Sequence, residues 1–204
     1  MIPLFSEVFG QSGTIQLPDL IRAGGDRVAL SVASSKANTQ TLAQRAFALH
    51  GGITLTSAAN AAFVVRIEPA GADDAALLTI GSGNPYKEQL RRTVPGTDYE
   101  NSVLRACDLV VESTLGLEGF FGGKLAFVGK QRKISEIYVS DLLFRQVRPL
   151  TADRALVIGP RWSPNGKRLL YTTYYKTGFP DIYSINLSTG RREAIATYRG
   201  TNSG

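Results

Sequence analysis

The 204-residue sequence predicts an α+β domain, a mixed sheet with two helices, followed by all-β partial β-propeller blades. Three observations carry that prediction. As far as Leu115, strand-length apolar runs interleave with two amphipathic helical segments. Residues 116–123, Gly-Leu-Glu-Gly-Phe-Phe-Gly-Gly, then shift composition sharply, with four glycines in eight positions. Beyond them the chain repeats itself at about 45 residues with no helix-period stretch, the pattern of blades rather than helical arrays.

The elements follow in order. Residues 1–26, rich in Gly, Ser, Pro and Gln, read as an arm. Val28, Leu30 and Val32 alternate with Ala29 and Ser31, a short strand. Asn38 suits the cap of a helix from Thr39 to Leu49 with an apolar face of Leu42, Ala46 and Leu49, stopped by Gly51 and Gly52. Ile53–Leu55 and Phe63–Ile67 read as strands. Ala75–Ile80, a turn at Gly81-Ser82-Gly83-Asn84-Pro85, and Glu88–Val94 continue a meander. Asp98 caps a helix to Leu115, whose buried stripe is Val103, Cys107, Val110, Val111 and Thr114, with Gly116 at the stop. Both helices are expected on one face of the sheet, where their stripes find cover. The domain boundary is placed in the glycine-rich segment, giving an arm over 1–26, an α/β domain over 27–118 and propeller sequence over 119–204.

The repeat is explicit. Lys124-Leu125-Ala126-Phe127-Val128 is answered 44 residues later by Arg168-Leu169-Leu170-Tyr171-Thr172. Glu136-Ile137-Tyr138-Val139-Ser140-Asp141 is answered 45 residues later by Asp181-Ile182-Tyr183-Ser184-Ile185-Asn186, and Leu150 by Ile195. Ser163-Pro164-Asn165-Gly166 has Pro at the second and Gly at the fourth place of a turn, the type I preference. Ser188-Thr189-Gly190 reads as the next hairpin turn. A propeller needs roughly four to eight blades to remove its open edges. With fewer than two complete units here, the chain is read as a fragment.

Composition excludes several functions. The net charge of +6 is scattered, densest at Lys130, Arg132, Lys133 and the pairs Arg91–Arg92 and Arg191–Arg192, which does not make a nucleic-acid face. One cysteine and one histidine supply neither a disulfide nor a Cys/His metal site, and no cofactor is implied. The N-terminus has neither a basic n-region nor an apolar h-region, so no secretory signal is read. No Gly-x-Ser-x-Gly elbow is present; Gly10-Gln11-Ser12-Gly13 lacks its spacing. His50, after the first helix, suits a cation at a helix C-terminus. Cys107 reads as a buried small hydrophobe. Tyr138, Tyr171, Tyr174, Tyr175 and Tyr183, at strand spacing, read mostly as blade packing, and Glu136 and Asp141 as repeat features.

Trp162-Ser163-Pro164-Asn165-Gly166-Lys167-Arg168-Leu169-Leu170-Tyr171 closely resembles the WSPDG-x-x-L-x-Y repeat of TolB-type propellers. Glu136–Asp141 resembles another strand of that repeat, Lys124–Val128 the strand that opens the propeller, and the preceding α/β domain fits the same family. The resemblance covers roughly residues 27–204. Asn165 departs from the usual Asp, Arg27–Val32 lacks the usual Pro-Phe ending, and residues 1–26 show no clear version of the arm that contacts TolA in family members. The resemblance implies a periplasmic scaffold of the Tol–Pal system, peripheral to the membrane at most. It implies no enzyme activity and no nucleic acid; the protein partners would be the lipoprotein Pal and TolA. Trp162, Ser163, Pro164, Asn165 and Gly166 would act structurally, setting blade geometry. The alternative is the gating propeller of a prolyl-oligopeptidase-type serine hydrolase.

Overall fold

The computed structural model describes residues 27–71 and 73–202. The arm over 1–26 lies outside them. The first unit runs β1 (Val28–Ala33), α1 (Ala37–Ala48), β2 (Ile53–Leu55), β3 (Phe63–Pro69), β4 (Ala75–Ser82), β5 (Lys87–Pro95) and α2 (Tyr99–Leu115). Its sheet has the order β2-β1-β3-β4-β5. β1 pairs in parallel with β2 and β3, whereas β3, β4 and β5 form the antiparallel meander. The sheet is therefore mixed, as the sequence predicts.

Strand alternation divides the sheet into two faces. Leu30, Val32, Val65, Ile67, Ala76, Leu78, Ile80 and Val94 are buried and join one cluster with both helices. α2 adds Val103, Leu104, Ala106, Cys107, Val110 and Val111. Thr114, at the edge of the stripe, is only half-buried, and its hydroxyl donates back to the Val110 carbonyl, 2.7 Å away. Asp98 caps α2, its carboxylate accepting the Asn101 N–H at 2.8 Å, and Gly116 closes it in the left-handed region at φ 67°.

The first helix departs from the sequence reading. It starts at Ala37, and Asn38 lies inside its first turn without capping anything. Ser35 explains the shift: its N–H and hydroxyl both donate to the Glu68 carboxylate at the end of β3, which turns the chain early. The buried face is Thr39, Leu42, Ala43, Ala46 and Phe47, one stripe at helical spacing, while Leu49 is 56% exposed. Gly81 and Ser82 likewise belong to β4, and the turn begins at Gly83. Tyr86 folds its ring over Gly81, occupying the space a Cβ would need.

The second region contains two antiparallel sheets. β6 (Lys124–Gln131), β7 (Ile134–Asp141) and β8 (Arg148–Pro149) form the first, in that order. β9 (Val157–Trp162), β10 (Arg168–Thr173), β11 (Asp181–Asn186) and β12 (Arg192–Ala196) form the second as a four-stranded meander. The sheets pack face to face through Ile137 and Val139 from one and Val157, Leu169, Tyr171, Tyr183 and Ile185 from the other. These are partial propeller blades. β6 corresponds to β10, β7 to β11 and β8 to β12, so the sequence repeat is a repeat of sheets. Among the described residues, the first sheet has no strand in the place β9 takes in the second. No helix among the described residues is long and apolar enough to cross a membrane.

Candidate functional site

The repeat turn lies between β9 and β10. Trp162 ends β9 and packs its half-buried indole against the cluster between the sheets. The next four residues close the hairpin with a dense set of bonds. The Gly166 N–H donates to the Ser163 carbonyl at 2.9 Å, and the Ser163 N–H to the Arg168 carbonyl at 2.9 Å. The Ser163 hydroxyl accepts the Arg168 N–H at 3.0 Å and donates to Asn165 Oδ1 at 2.8 Å. Asn165 Oδ1 also accepts the Lys167 N–H at 3.1 Å. Gly166 sits at φ 65°, where a side chain is strained. Ser163, Asn165 and Gly166 thus each carry a defined backbone role, and Pro164 presets the second place of the turn.

Repeat-equivalent side chains explain why the sequence repeats. Asp141 Oδ1 accepts the N–H groups of Leu143 and Arg145, both at 3.0 Å. Its counterpart Asn186 accepts those of Ser188 at 2.9 Å and Thr189 at 3.1 Å. Each closes the turn after the middle strand of its sheet, the Asx-turn chemistry shared by Asp and Asn. Arg145 also pairs with the Asp141 carboxylate at 2.9 Å.

Between the sheets lies a polar network that residue patterns alone did not reveal. Glu136 takes the Thr151 hydroxyl at 2.5 Å and the N–H groups of Asp153 at 3.0 Å and Arg154 at 2.7 Å. Thr151 in turn accepts the Ile137 N–H at 2.9 Å. The buried Asp153 accepts the Thr173 hydroxyl at 3.1 Å and pairs with Arg192. Arg192 also lies over the Tyr175 ring, 6.0 Å from its centroid. Tyr171, beside this network, has its phenol pushed up to about 12, chiefly by burial. A carboxylate thus ties the crossover segment 151–154 to the first sheet, and a second ties it to the next. Tyr171 and Tyr183 are buried and Tyr138 stacks on Phe127 at 5.8 Å, so these three act in packing; Tyr175 is half exposed.

The glycine-rich segment docks onto the first unit. Phe121 is fully buried in that unit's core, with its ring edge-on to Phe47 at 5.9 Å. Asp108 on α2 accepts the N–H of Phe121 at 2.6 Å and of Gly122 at 2.9 Å. A Cβ at Gly119 would strike Asp108 at 2.4 Å, which accounts for that glycine. Burial is the leading influence on the Asp108 carboxyl, holding it above its ordinary range against the pull of the two N–H donors. Leu142 and Leu143, from the turn after β7, also lean on this core. Beside the junction lies a cleft of about 240 Å³ whose lining includes Asp98, Asn101, Lys124, Ser140, Arg145 and Arg148.

His50 faces the same junction and corrects the sequence reading. Its Nδ1 accepts the Gly52 N–H at 3.2 Å, and its ring stacks on Phe120 at 5.8 Å. The ring therefore acts at this helix end as an acceptor of an N–H rather than as a donor to the last carbonyls, and burial lowers its pKa. Cys107 is fully buried, as its place on the α2 stripe suggests, and burial pushes its thiol well up. An acceptor role for His50 and a clasp role for Asp108 have no sequence pattern of their own. The two phenylalanines among four glycines were the available signal.

The fold described so far is that of a propeller protein whose first sheet carries an α/β unit packed against it. No family profile matches the chain. Among curated proteins it is similar to the Tol-Pal system protein TolB of Polaromonas naphthalenivorans, 33% identical over 111 residues, covering 54% of this chain and 26% of that one. The protein of the same name from Alkalilimnicola ehrlichii is 33% identical over 132 residues, covering 62% and 30%. That from Nitrosomonas europaea is 37% identical over 99 residues, covering 48% and 23%. Among solved structures, TolB from Acinetobacter baumannii superposes with a TM-score of 0.74 at 19% identity, covering 86% of this chain and 51% of that one. The resemblance to the TolB family therefore holds in sequence and in fold. The matched part spans about a quarter to a third of the length of these curated relatives. The serine-hydrolase alternative is not favoured, since the names of the similar curated proteins point to the Tol-Pal system.

Proposed function

We propose that this chain is part of a TolB-type scaffold that works by protein–protein contact in the periplasm, with Pal and TolA as its partners. The single observation that carries this reading is an α/β unit docked directly before propeller sheets in a chain similar to proteins named for the Tol-Pal system. In this reading residues 27–118 are the α/β domain, residues 119–204 open the propeller, and residues 1–26 form an arm. Trp162, Ser163, Pro164, Asn165 and Gly166 serve as the structural repeat motif and not as a contact site. The chain acts by shape and surface, with no catalysis and no cofactor. The test is to tag the gene product in its native cell, crosslink, and identify both its compartment and its companions. Recovery with Pal or TolA from the periplasmic fraction supports the reading. Recovery in the cytoplasm, or with neither protein, overturns it.

A further inference from the structure

We propose that Asn165 is a site of spontaneous covalent modification, converting to aspartate and isoaspartate through a cyclic imide formed with Gly166. The chemistry starts from the sequence. The chain has seven asparagines, at 38, 60, 84, 101, 165, 186 and 202, and only Asn165 precedes a glycine. Elsewhere the following residue carries a side chain that hinders approach of its backbone nitrogen, and after Asn84 that nitrogen belongs to Pro85 and has no proton to lose.

The structure adds three facts. Asn165 and Gly166 are exposed, and open space surrounds the position a Gly166 Cβ would occupy, so no packed side chain shields the peptide from solvent base once the turn opens. Asn165 Oδ1 accepts from the Ser163 hydroxyl and the Lys167 N–H, which polarise the amide carbonyl and assist charge developing on its oxygen. Opposing these, the Gly166 N–H is donated to the Ser163 carbonyl at 2.9 Å. The turn must open before the nitrogen can attack, so the hydrogen bonds set the rate.

The atoms balance as follows. Base removes the Gly166 N–H proton, the nitrogen bonds to Asn165 Cγ to give a tetrahedral adduct, the protonated base returns a proton to Nδ2, and the Cγ–Nδ2 bond breaks to release ammonia. Water then opens the imide. Cleavage at one carbonyl yields aspartate, and at the other isoaspartate. The products differ in consequence. Aspartate keeps the backbone and offers its carboxylate to the same two donors as charge-assisted bonds. Isoaspartate threads the main chain through Cγ, lengthening the turn by a methylene, and cannot keep the Gly166-to-Ser163 and Ser163-to-Arg168 bonds together.

The test is mass spectrometry of the intact chain aged at about pH 8 and about 37 °C, with isoaspartyl methyltransferase labelling of the product. The Asn165 peptide is expected to convert at least about tenfold faster than the Asn186 peptide. Equal rates at the two positions overturn the proposal. Ser163→Ala removes two bonds, the Arg168 N–H to the hydroxyl, which holds the turn, and the hydroxyl to Asn165 Oδ1, which polarises the amide. Because opening of the turn sets the rate, conversion at Asn165 is expected to rise several-fold, and an unchanged or lower rate overturns the gating. Wild-type chain unfolded in urea is the control that needs no folded variant. Conversion at Asn165 no faster there than at Asn186 also counts against the proposal.

Discussion

The α/β unit and the paired sheets hold themselves together by different means. The first buries a continuous apolar core between one sheet face and two helices, and even the connecting segment contributes Phe121 to it. The second shares a much smaller apolar cluster between its sheets and supplements it with the carboxylates of the crossover network, the half-buried Glu136 and the buried Asp153. Ile158, Leu170 and Ile195 remain exposed on the second sheet. The difference teaches that helices laid on one sheet face can complete a core within a single unit, whereas paired sheets, with less apolar surface between them, add polar ties from the crossover segment.

The comparison can be broken most severely at Phe121. Phe121→Ala should cost about 3–5 kcal/mol in urea unfolding of the intact chain, because the ring is fully buried in the first core and its removal leaves a cavity there. A cost below about 1 kcal/mol would mean that the connecting segment is not part of the first core. The next effect is expected between the sheets. Asp153→Asn leaves Arg192 without its carboxylate, and should cost about 2–3 kcal/mol, the Arg192 side chain being 31% exposed and partly rehydrated. If the loss registers only in a probe of the first unit, such as exchange of α2 amides, the division of labour drawn above fails.

A smaller effect sharpens the junction. The folded state depresses the His50 pKa by burial, so His50 contributes stability that is present above its unfolded value of about 6.5 and is lost as pH falls from there through the lower folded value. His50→Gln should flatten the acid side of a stability profile measured between about pH 5 and pH 7.5. Asp108 has the opposite sign. Its raised carboxyl favours the fold below the unfolded value of about 3.9, and that advantage disappears as pH rises through the folded value. The smallest effect is at the repeat turn, where Asn165→Asp should change stability by less than about 0.5 kcal/mol, since the side chain is exposed and both its bonds survive. A larger loss would show that the amide makes a contact a carboxylate cannot.

Much of the fold was legible in the sequence, and the limits follow from distance along the chain. β3, β4 and β5 and α2 were read nearly as they stand, because alternation, an Asp cap and a Gly stop are local signals. The α1 start was misread because Ser35 answers to Glu68, 33 residues away. The repeat was legible because Asp141 and Asn186 do the same local work twice. The network through Glu136, Asp153, Thr173 and Arg192 was not, because its members come from different strands and share no spacing.

The clasp of Asp108 on Phe121 and Gly122 has a mechanical consequence. Four glycines among eight residues suggest a slack tether, yet the carboxylate and the buried ring pin the segment near its end, just before β6. A pull on α2 is therefore passed along a taut link of a few residues into β6, and a displacement of the first sheet is returned to the helix. The two units share load like beam and bracket, and a force applied to one is felt by the other.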